Sequence, residues 1–427
     1  MRRLYGLLMM LAAPVAFAVV LMRGIRDRAY WTAPMERFGF GRWIATRSIW
    51  LHAVSLGEVS AAAPLLRALR ARYPGIPFVL STATPTGRNR ARTLFGTDVD
   101  IRYLAYDTPG SVRRFLARIN PRVGVIIETE LWPNLLHECR RRGVPVVIAS
   151  ARLTPKSVLR YRRARALFGD AVAQNVTIAA QTAEDAERFI AIGADRSRTR
   201  EVGNLKFDVQ LGVEVIEGGR KLRAEYLGAR PVWIAGSTHP GEEEQLLAAH
   251  AELKKVVANP LLVLVPRHPQ RFESVATLLT RRGEQFDRRS AGAPVRNDVD
   301  VLLVDTVGEL AALYAAADLA FVGGSLVPVG GHNLLEPAAL GVPGITGPYT
   351  ANSREIAREL MLRGGAVQVA DAQTLANVLG QFFADPILRQ RAGASAREFV
   401  EAHRGTVARL IDLIDPLVAS SGPSVKA

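Results

Sequence analysis

The strongest constraint in this chain is a set of short apolar runs without polar alternation: VGVIIE (123–128), VPVVIAS (144–150) and VTIAAQ (176–181). A strand with one wet face alternates, and a strand covered on both faces does not. These runs therefore specify the interior of a parallel sheet. Amphipathic stretches near 59–73, 109–119, 131–142 and 182–192 supply the crossover helices that parallel strands require. The rhythm lapses from about 203 to 230. It restarts with PVWIAGS (231–237), LLVLVP (261–266), VLLVD (301–305), LAFVGG (319–324) and VPGIT (342–346). The expectation is an α/β chain of two doubly wound domains facing across a cleft, with ligands at the C-terminal ends of the strands. A length of 427 residues agrees, because one core seldom serves more than about 250–300. The tail SSGPSVKA (420–427) reads as frayed.

Charge is unevenly placed. Residues 1–200 hold 32 Lys/Arg against 14 Asp/Glu, or +18, whereas residues 201–427 hold 23 against 26, or −3. The first half should seek an anionic surface: membrane headgroups, nucleic acid or a phosphorylated substrate. No zinc finger, RNP-type motif or basic helix with interleaved aromatics supports nucleic acid. The single cysteine, Cys139, excludes a disulfide framework and a Cys-based metal site.

The apolar stretch Leu4 to Met22 is about as long as the roughly 20 residues a spanning helix needs. Ala16-Phe17-Ala18 resembles a signal-peptidase site, but the apolar run continues past it and Arg23, Arg26 and Arg28 follow. It reads as an uncleaved membrane anchor with the body on the cytoplasmic side. Pro14 and the marginal length leave an in-plane helix open beside a spanning one.

In LHAVSLGE (51–58) an apolar run ends at Ser55-Leu56-Gly57 and Glu58 opens a helical pattern. Glu58 reads either as a first-turn acid that favours the helix dipole or as a general base. ETELWPN (128–134) ends another apolar run in Glu128 and Glu130, at the strand end where open parallel sheets bind ligands; Glu130 also reads as a simple helix start before Pro133. The nucleotide signal is stronger in the second half. GGSLVPVGGHNLLEPAALGVPGITGP (323–348) carries two glycine pairs that let backbone approach a phosphate. Glu336 suits a ribose diol, and Asn333 with Glu336 also reads as a capping box. Arg267 in VPRHP (265–269) is a phosphate candidate. GSTHPGEEE (236–244) reads as a structural helix start, and Lys206 in GNLKFD (203–208) lies at the linker. The DVD triplets at 98–100 and 298–300 precede apolar runs, the wrong side of a parallel strand for a metal site. The seven histidines show no paired-ligand spacing, and His52 reads as a satisfied core residue.

Taken in order, HAVSLGE, TPTG, ETELWPN, ARL, LKFD, STHPGEE, VPRHP, DTVGEL, FVGGSL and GGHNLLEPAA resemble the bacterial 3-deoxy-D-manno-octulosonic acid (Kdo) transferases of lipopolysaccharide assembly. The resemblance spans almost the whole chain. It implies a GT-B fold divided into a membrane anchor (1–30), an acceptor-binding domain (31–210), a donor-binding domain (211–405), and a C-terminal helix and tail (406–427) packing back on the first. It implies transfer of Kdo from CMP-Kdo to a lipid A precursor at the inner membrane, with inversion, without a metal, and with no cofactor beyond the donor. Carried over by motif, Glu58 is the base, and Glu128 and Lys206 stabilise the transition state. Pro266, Arg267, Val307, Gly308, Glu309, Asn333, Leu334, Leu335 and Glu336 hold CMP. The helix start and nearby cations are expected to keep Glu58 ionised. Two rival readings are a soluble sugar-nucleotide epimerase of the same fold and a non-catalytic membrane nucleotide-binding protein.

Overall fold

The computed structural model describes residues 1–209 and 211–420. The tail expected to fray lies outside the described residues from 421 on, as does the domain boundary at 210. Two compact units emerge: Met1–Asp208 with the segment from Gly405, and Val209–Arg404.

The first unit is built on seven strands: β1 (Ser48–His52), β2 (Phe78–Thr82), β3 (Asp100–Tyr103), β4 (Pro121–Ile127), β5 (Val146–Ala151), β6 (Val176–Ala180) and β7 (Thr199–Glu201). They pair in parallel in the order β3-β2-β1-β4-β5-β6-β7. The chain enters at the centre and runs to one edge, so the order reverses between β1 and β4.

The second unit repeats the plan with β8 (Val232–Thr238), β9 (Leu261–Pro266), β10 (Phe286–Arg288), β11 (Val301–Leu303), β12 (Leu319–Val322), β13 (Gly344–Thr346) and β14 (Ala366–Gln368). Their order is β10-β11-β9-β8-β12-β13-β14, again all parallel, and the reversal falls between β8 and β12. In each unit the loops after the strands share one edge of the sheet. A reversal of strand order opens a crevice at that edge.

Helices cover both faces of the first sheet. Trp50, Phe115, Ile148 and Phe189 pack on one side, and Leu51, Leu66, Leu69 and Val147 on the other. Leu410, Ile414 and Val418 of the returning helix Thr406–Ser420 join that second side, one per turn of the helix. An Arg72–Asp415 ion pair at 2.6 Å flanks the contact. The Asp208 carboxylate receives the N–H groups of Gly405 at 2.7 Å and Val407 at 2.5 Å, which pins the start of that segment.

Two helices matter for the site and its setting, α1 (Arg2–Arg26) and α2 (Leu56–Arg72). α2 starts earlier than its apolar pattern suggests, because Ser55 caps it and its side chain accepts from Glu58 N–H. Gly57 therefore lies inside the first helical turn and makes no glycine turn.

Candidate functional site

The first unit brings three acids and one lysine together at its switch point. Glu58 stands in the first turn of α2, just after β1. One carboxylate oxygen accepts from Val54 N–H at 2.8 Å and the other from the Ser55 hydroxyl at 2.9 Å. The side chain remains half-buried, not enclosed in packing. Burial pushes its carboxyl up from the ordinary glutamate range, and the Glu128 charge adds to this. The Val54 and Ser55 hydrogen bonds and the Lys206 charge oppose it. Burial thus works against the helix start and the Lys206 charge that were expected to keep Glu58 ionised.

Glu128 follows β4 and takes a left-handed backbone, φ 60°. Non-glycine residues pay for that conformation, and it persists where the surroundings enforce it. Its carboxylate pairs with Lys206 Nζ at 3.0 Å, the two side chains 32 % and 33 % exposed. Glu130, whose motif also fits a helix start, belongs to the same group. The helix begins later, at Pro133, and Glu130 instead accepts from Trp132 Nε1 at 2.6 Å. Burial pushes its carboxyl up to about 7, against the Trp132 bond and with help from the Glu58 and Glu128 charges.

A polar relay positions Lys206. Gln181 Nε2 donates to Ser150 O at 3.0 Å, Asn204 Nδ2 to Gln181 Oε1 at 3.0 Å, and Leu205 N–H to Ser150 Oγ at 2.8 Å. Leu205 and Phe207 are buried on either side, so the ammonium has little choice of direction. The glycine of TPTG also serves the site. A Cβ on Gly87 would lie 3.2 Å from Val54 O and from the Ser55 carbonyl carbon, so a larger residue would crowd the loop before Glu58 and push it by a few tenths of an ångström. His52, below that loop, is only half satisfied. Its Nδ1 faces Ser81 at 3.0 Å, Nε2 has no partner among the described residues, and burial pushes it down to about 4.

The second unit gathers the nucleotide candidates along the edge that follows β8, β9, β11 and β12. Pro266 ends β9, and Arg267 N–H donates to Thr238 O at 3.0 Å. Gly308 is left-handed (φ 98°) and Val307 is 76 % exposed. Glu309 is ion-paired with Arg289 at 2.8 Å and accepts from Thr306 Oγ1 at 2.5 Å. Leu334 and Leu335 have core side chains, so they can offer a nucleotide only backbone groups. The capping box at 333–336 is absent: Asn333 Oδ1 accepts from Leu335 N–H at 3.1 Å, and the short helix Leu335–Ala339 has no side-chain cap. Glu336 lies in its first turn and reaches the Tyr314 hydroxyl electrostatically.

GEEE proves to be a clamp. Glu242 is wholly buried, and its two oxygens receive the N–H groups of His239, Gly324, Ser325 and Leu326 at 2.7–2.9 Å. Glu243, also buried, holds Arg271 and the Thr238 hydroxyl. The clamp fixes the GGSL turn. Beside it stands a cluster the sequence hid. His239 Nε2 lies 2.8 Å from His332 Nε2 with the rings stacked, and His268 meets His239 edge-on at 5.6 Å. Burial first, then the Arg267 charge, pushes His332 down to about 4.

The DVD acids are otherwise engaged, Asp98 with Arg70, Asp100 with Arg102, Asp298 with Arg296 and Asp300 with Lys254. Among the described residues no group of three or more His, Cys, Asp or Glu is arranged to hold a metal ion.

The family model described as 3-deoxy-D-manno-octulosonic-acid transferase (kdotransferase) matches residues 33–209, and that of glycosyl transferases group 1 matches residues 234–399. The 3-deoxy-D-manno-octulosonic acid transferase of Haemophilus influenzae is 38 % identical over 419 residues, 97 % of this chain and 98 % of that one. Its counterpart from Bordetella pertussis is 40 % identical over 378 residues, 86 % of each chain. Among solved structures, UDP-GlcNAc 2-epimerase from Neisseria meningitidis aligns with a TM-score of 0.56 over 86 % of this chain and 100 % of its own, at 13 % identity. That likeness is one of fold, and it agrees with two α/β units of the GT-B kind.

Proposed function

The chain belongs to the 3-deoxy-D-manno-octulosonic acid transferases, and from that premise we propose that it moves Kdo from CMP-Kdo onto a lipid A precursor, with inversion and without a metal. The observation that carries the reading is the arrangement at the first switch point. A half-exposed Glu58, poised by two hydrogen bonds, stands within electrostatic reach of the Glu128–Lys206 pair.

In the proposed step an acceptor glucosamine hydroxyl attacks the anomeric carbon of Kdo from the face opposite the nucleotide. The new carbon–oxygen bond forms as the bond to the CMP phosphate oxygen breaks, and that electron pair leaves with CMP. The hydroxyl proton passes to Glu58. A carboxylate whose affinity for protons is raised by burial is a stronger base than an ordinary glutamate, provided it starts ionised. Lys206, aimed by Glu128 and the Ser150–Gln181–Asn204 relay, offers an ammonium to the charge developing on the donor. Arg267 and the GGSL turn held by Glu242 serve the cytidylate.

The basic first half suits a phosphorylated acceptor at an anionic membrane, and α1 supplies the attachment to the inner membrane with the body on its cytoplasmic side. The substitution Glu58→Gln should cut transfer by roughly 10²–10⁴ while CMP-Kdo still binds. Near-normal turnover by that variant would sink the assignment. CMP release measured with and without lipid acceptor separates transfer from epimerisation, which needs no acceptor.

A further inference from the structure

Helix α1 lies on the first unit through one stripe that is covered from Tyr5 to Val20, and the segment just after it folds back over Gly24. Gly6, Ala13 and Gly24 are buried, and Tyr5, Met9, Phe17 and Val20 are half-buried between them. Steps of three and four residues trace one narrow stripe on a helix. At one end the Tyr5 hydroxyl donates to Asp107 at 3.0 Å, and a Cβ on Gly6 would lie 3.2 Å from Pro109. In the middle Phe17 meets Phe38 edge-on at 4.9 Å. At the other end Trp31 Nε1 donates to Leu21 O at 3.0 Å, and its indole occupies the space a Cβ on Gly24 would need. The rest of the circumference is apolar and uncovered, as at Leu4, Leu8, Leu11, Val15, Met22 and Ile25.

A spanning helix must stand clear of the water-soluble body over about 30 Å of hydrocarbon. α1 is about 37 Å long at 1.5 Å per residue, and its stripe is covered from Tyr5 to Val20, which leaves no clear stretch long enough to cross. Set upright in a bilayer, it would draw into hydrocarbon the buried Asp107 carboxylate and the starts of helices Pro109–Ile119 and Pro133–Arg141. That cost is prohibitive for charged and polar backbone groups.

We infer that α1 is an in-plane seat, lying along the surface of a bilayer that carries anionic headgroups, with its uncovered side in the acyl boundary. Charge chooses this occupant. α1 has no acidic residue, and Arg2, Arg3, Arg23 and Arg26 flank its apolar span. Helix Pro155–Arg163, which rests on the core through Val158 and Tyr161, adds the exposed Lys156, Arg160, Arg162 and Arg163. Its Tyr161 lies within electrostatic reach of Tyr5, which puts this basic helix beside the first turn of α1. An amphipathic surface with a cationic border is what an anionic interface binds.

The seat deepens the proposed reading and rests on it only for the identity of the acceptor. Asn134, which neighbours Gly6, is four residues from Glu130, at most about 14 Å along the chain. A lipid-borne acceptor in the same membrane thus meets the sheet edge that carries Glu58, Glu128 and Glu130.

The test uses the full chain in vesicles of phosphatidylethanolamine and phosphatidylglycerol. Spin labels are placed singly on L4C, L11C and M22C, positions within about 20° of one another around a helix of 3.6 residues per turn. Cys139 stays, since it is buried with its thiol pushed up to about 12. All three labels should report the same shallow depth. A deep label at 11 between shallow labels at 4 and 22 overturns the seat, as does pairing of two chains through α1 that lipid does not alter. Replacing Arg160, Arg162 and Arg163 by Gln should weaken binding to these vesicles roughly a hundredfold, about fivefold per charge. Undiminished binding overturns the choice of an anionic surface. None of these readouts involves transfer, so they fail independently of the Kdo assignment, which CMP release tests.

Discussion

Glu58 and Glu242 occupy matching places in the two units. Each follows the first strand of its sheet, β1 or β8, beside the point where strand order reverses. A carboxylate has about four lone-pair sites. Glu242 has all of them filled by backbone N–H groups and is wholly buried. Glu58 receives two donors and stays half-exposed. The same acid at the same topological position is therefore mortar in one unit and, on the proposed reading, reagent in the other. The number of donors decides which, because a saturated carboxylate has no direction left from which to take a proton.

Four substitutions would break or sharpen that contrast. The largest effect is expected at Glu242→Ala, which strands four buried N–H groups and should cost roughly 4 kcal/mol or more, read by urea unfolding. A variant as stable as the parent would mean the clamp is idle. Next comes Lys206→Met, which should slow transfer by roughly 10–100-fold yet change stability by less than about 1 kcal/mol, since its ion pair with Glu128 is one-third exposed. Loss of folding with loss of activity would make Lys206 structural too.

Glu130→Gln probes the acid between these extremes. Burial raises Glu130 to about 7, so the fold favours its neutral form. That contribution is complete below the ordinary glutamate value and disappears as pH rises through about 7. The glutamine variant should gain stability relative to the parent as pH rises from about 5 to about 8, by roughly 2 kcal/mol. A pH-independent difference between the two proteins would contradict the buried setting. The smallest stability change belongs to Glu58→Gln, under about 1 kcal/mol, the size of a lost helix cap. In the parent enzyme transfer should fall with acid at a higher pH than an ordinary glutamate would impose, because burial lifts the base. An acid limb in the usual glutamate range would deny Glu58 that role.

The middle of each sheet was legible because β4, β5, β8 and β9 are apolar on both faces. β3, β7, β10 and β14 were not: DIRY, TRE, FDR and AVQ are short edge strands whose outward positions keep charge or polarity. Helix Pro155–Arg163 has no fully buried residue and packs on the core only through the partly buried Val158 and Tyr161, too short an apolar stripe to stand out. Glu58, Glu128 and Lys206 could be singled out from motif and strand position. Glu130 was discounted because a helix start and a site acid look alike one residue at a time. His239 and His332 are 93 residues apart and meet only through the strand order, so no spacing rule could join them. The capping box at 333–336 failed for a local reason, since the helix starts two residues beyond Asn333 and its side chain turns to Leu335 N–H instead.

The hydrogen bonds from Gly405 and Val407 to Asp208 carry a topological consequence. In chain order the whole second unit is an insertion, and its two ends are stitched at one side chain of the host. Splicing residue 208 to residue 405 leaves almost no gap to bridge. The host's sheet and its returning helix should then close as an autonomous fold, deprived of the second unit but still furnished with Glu58, Glu128 and Lys206.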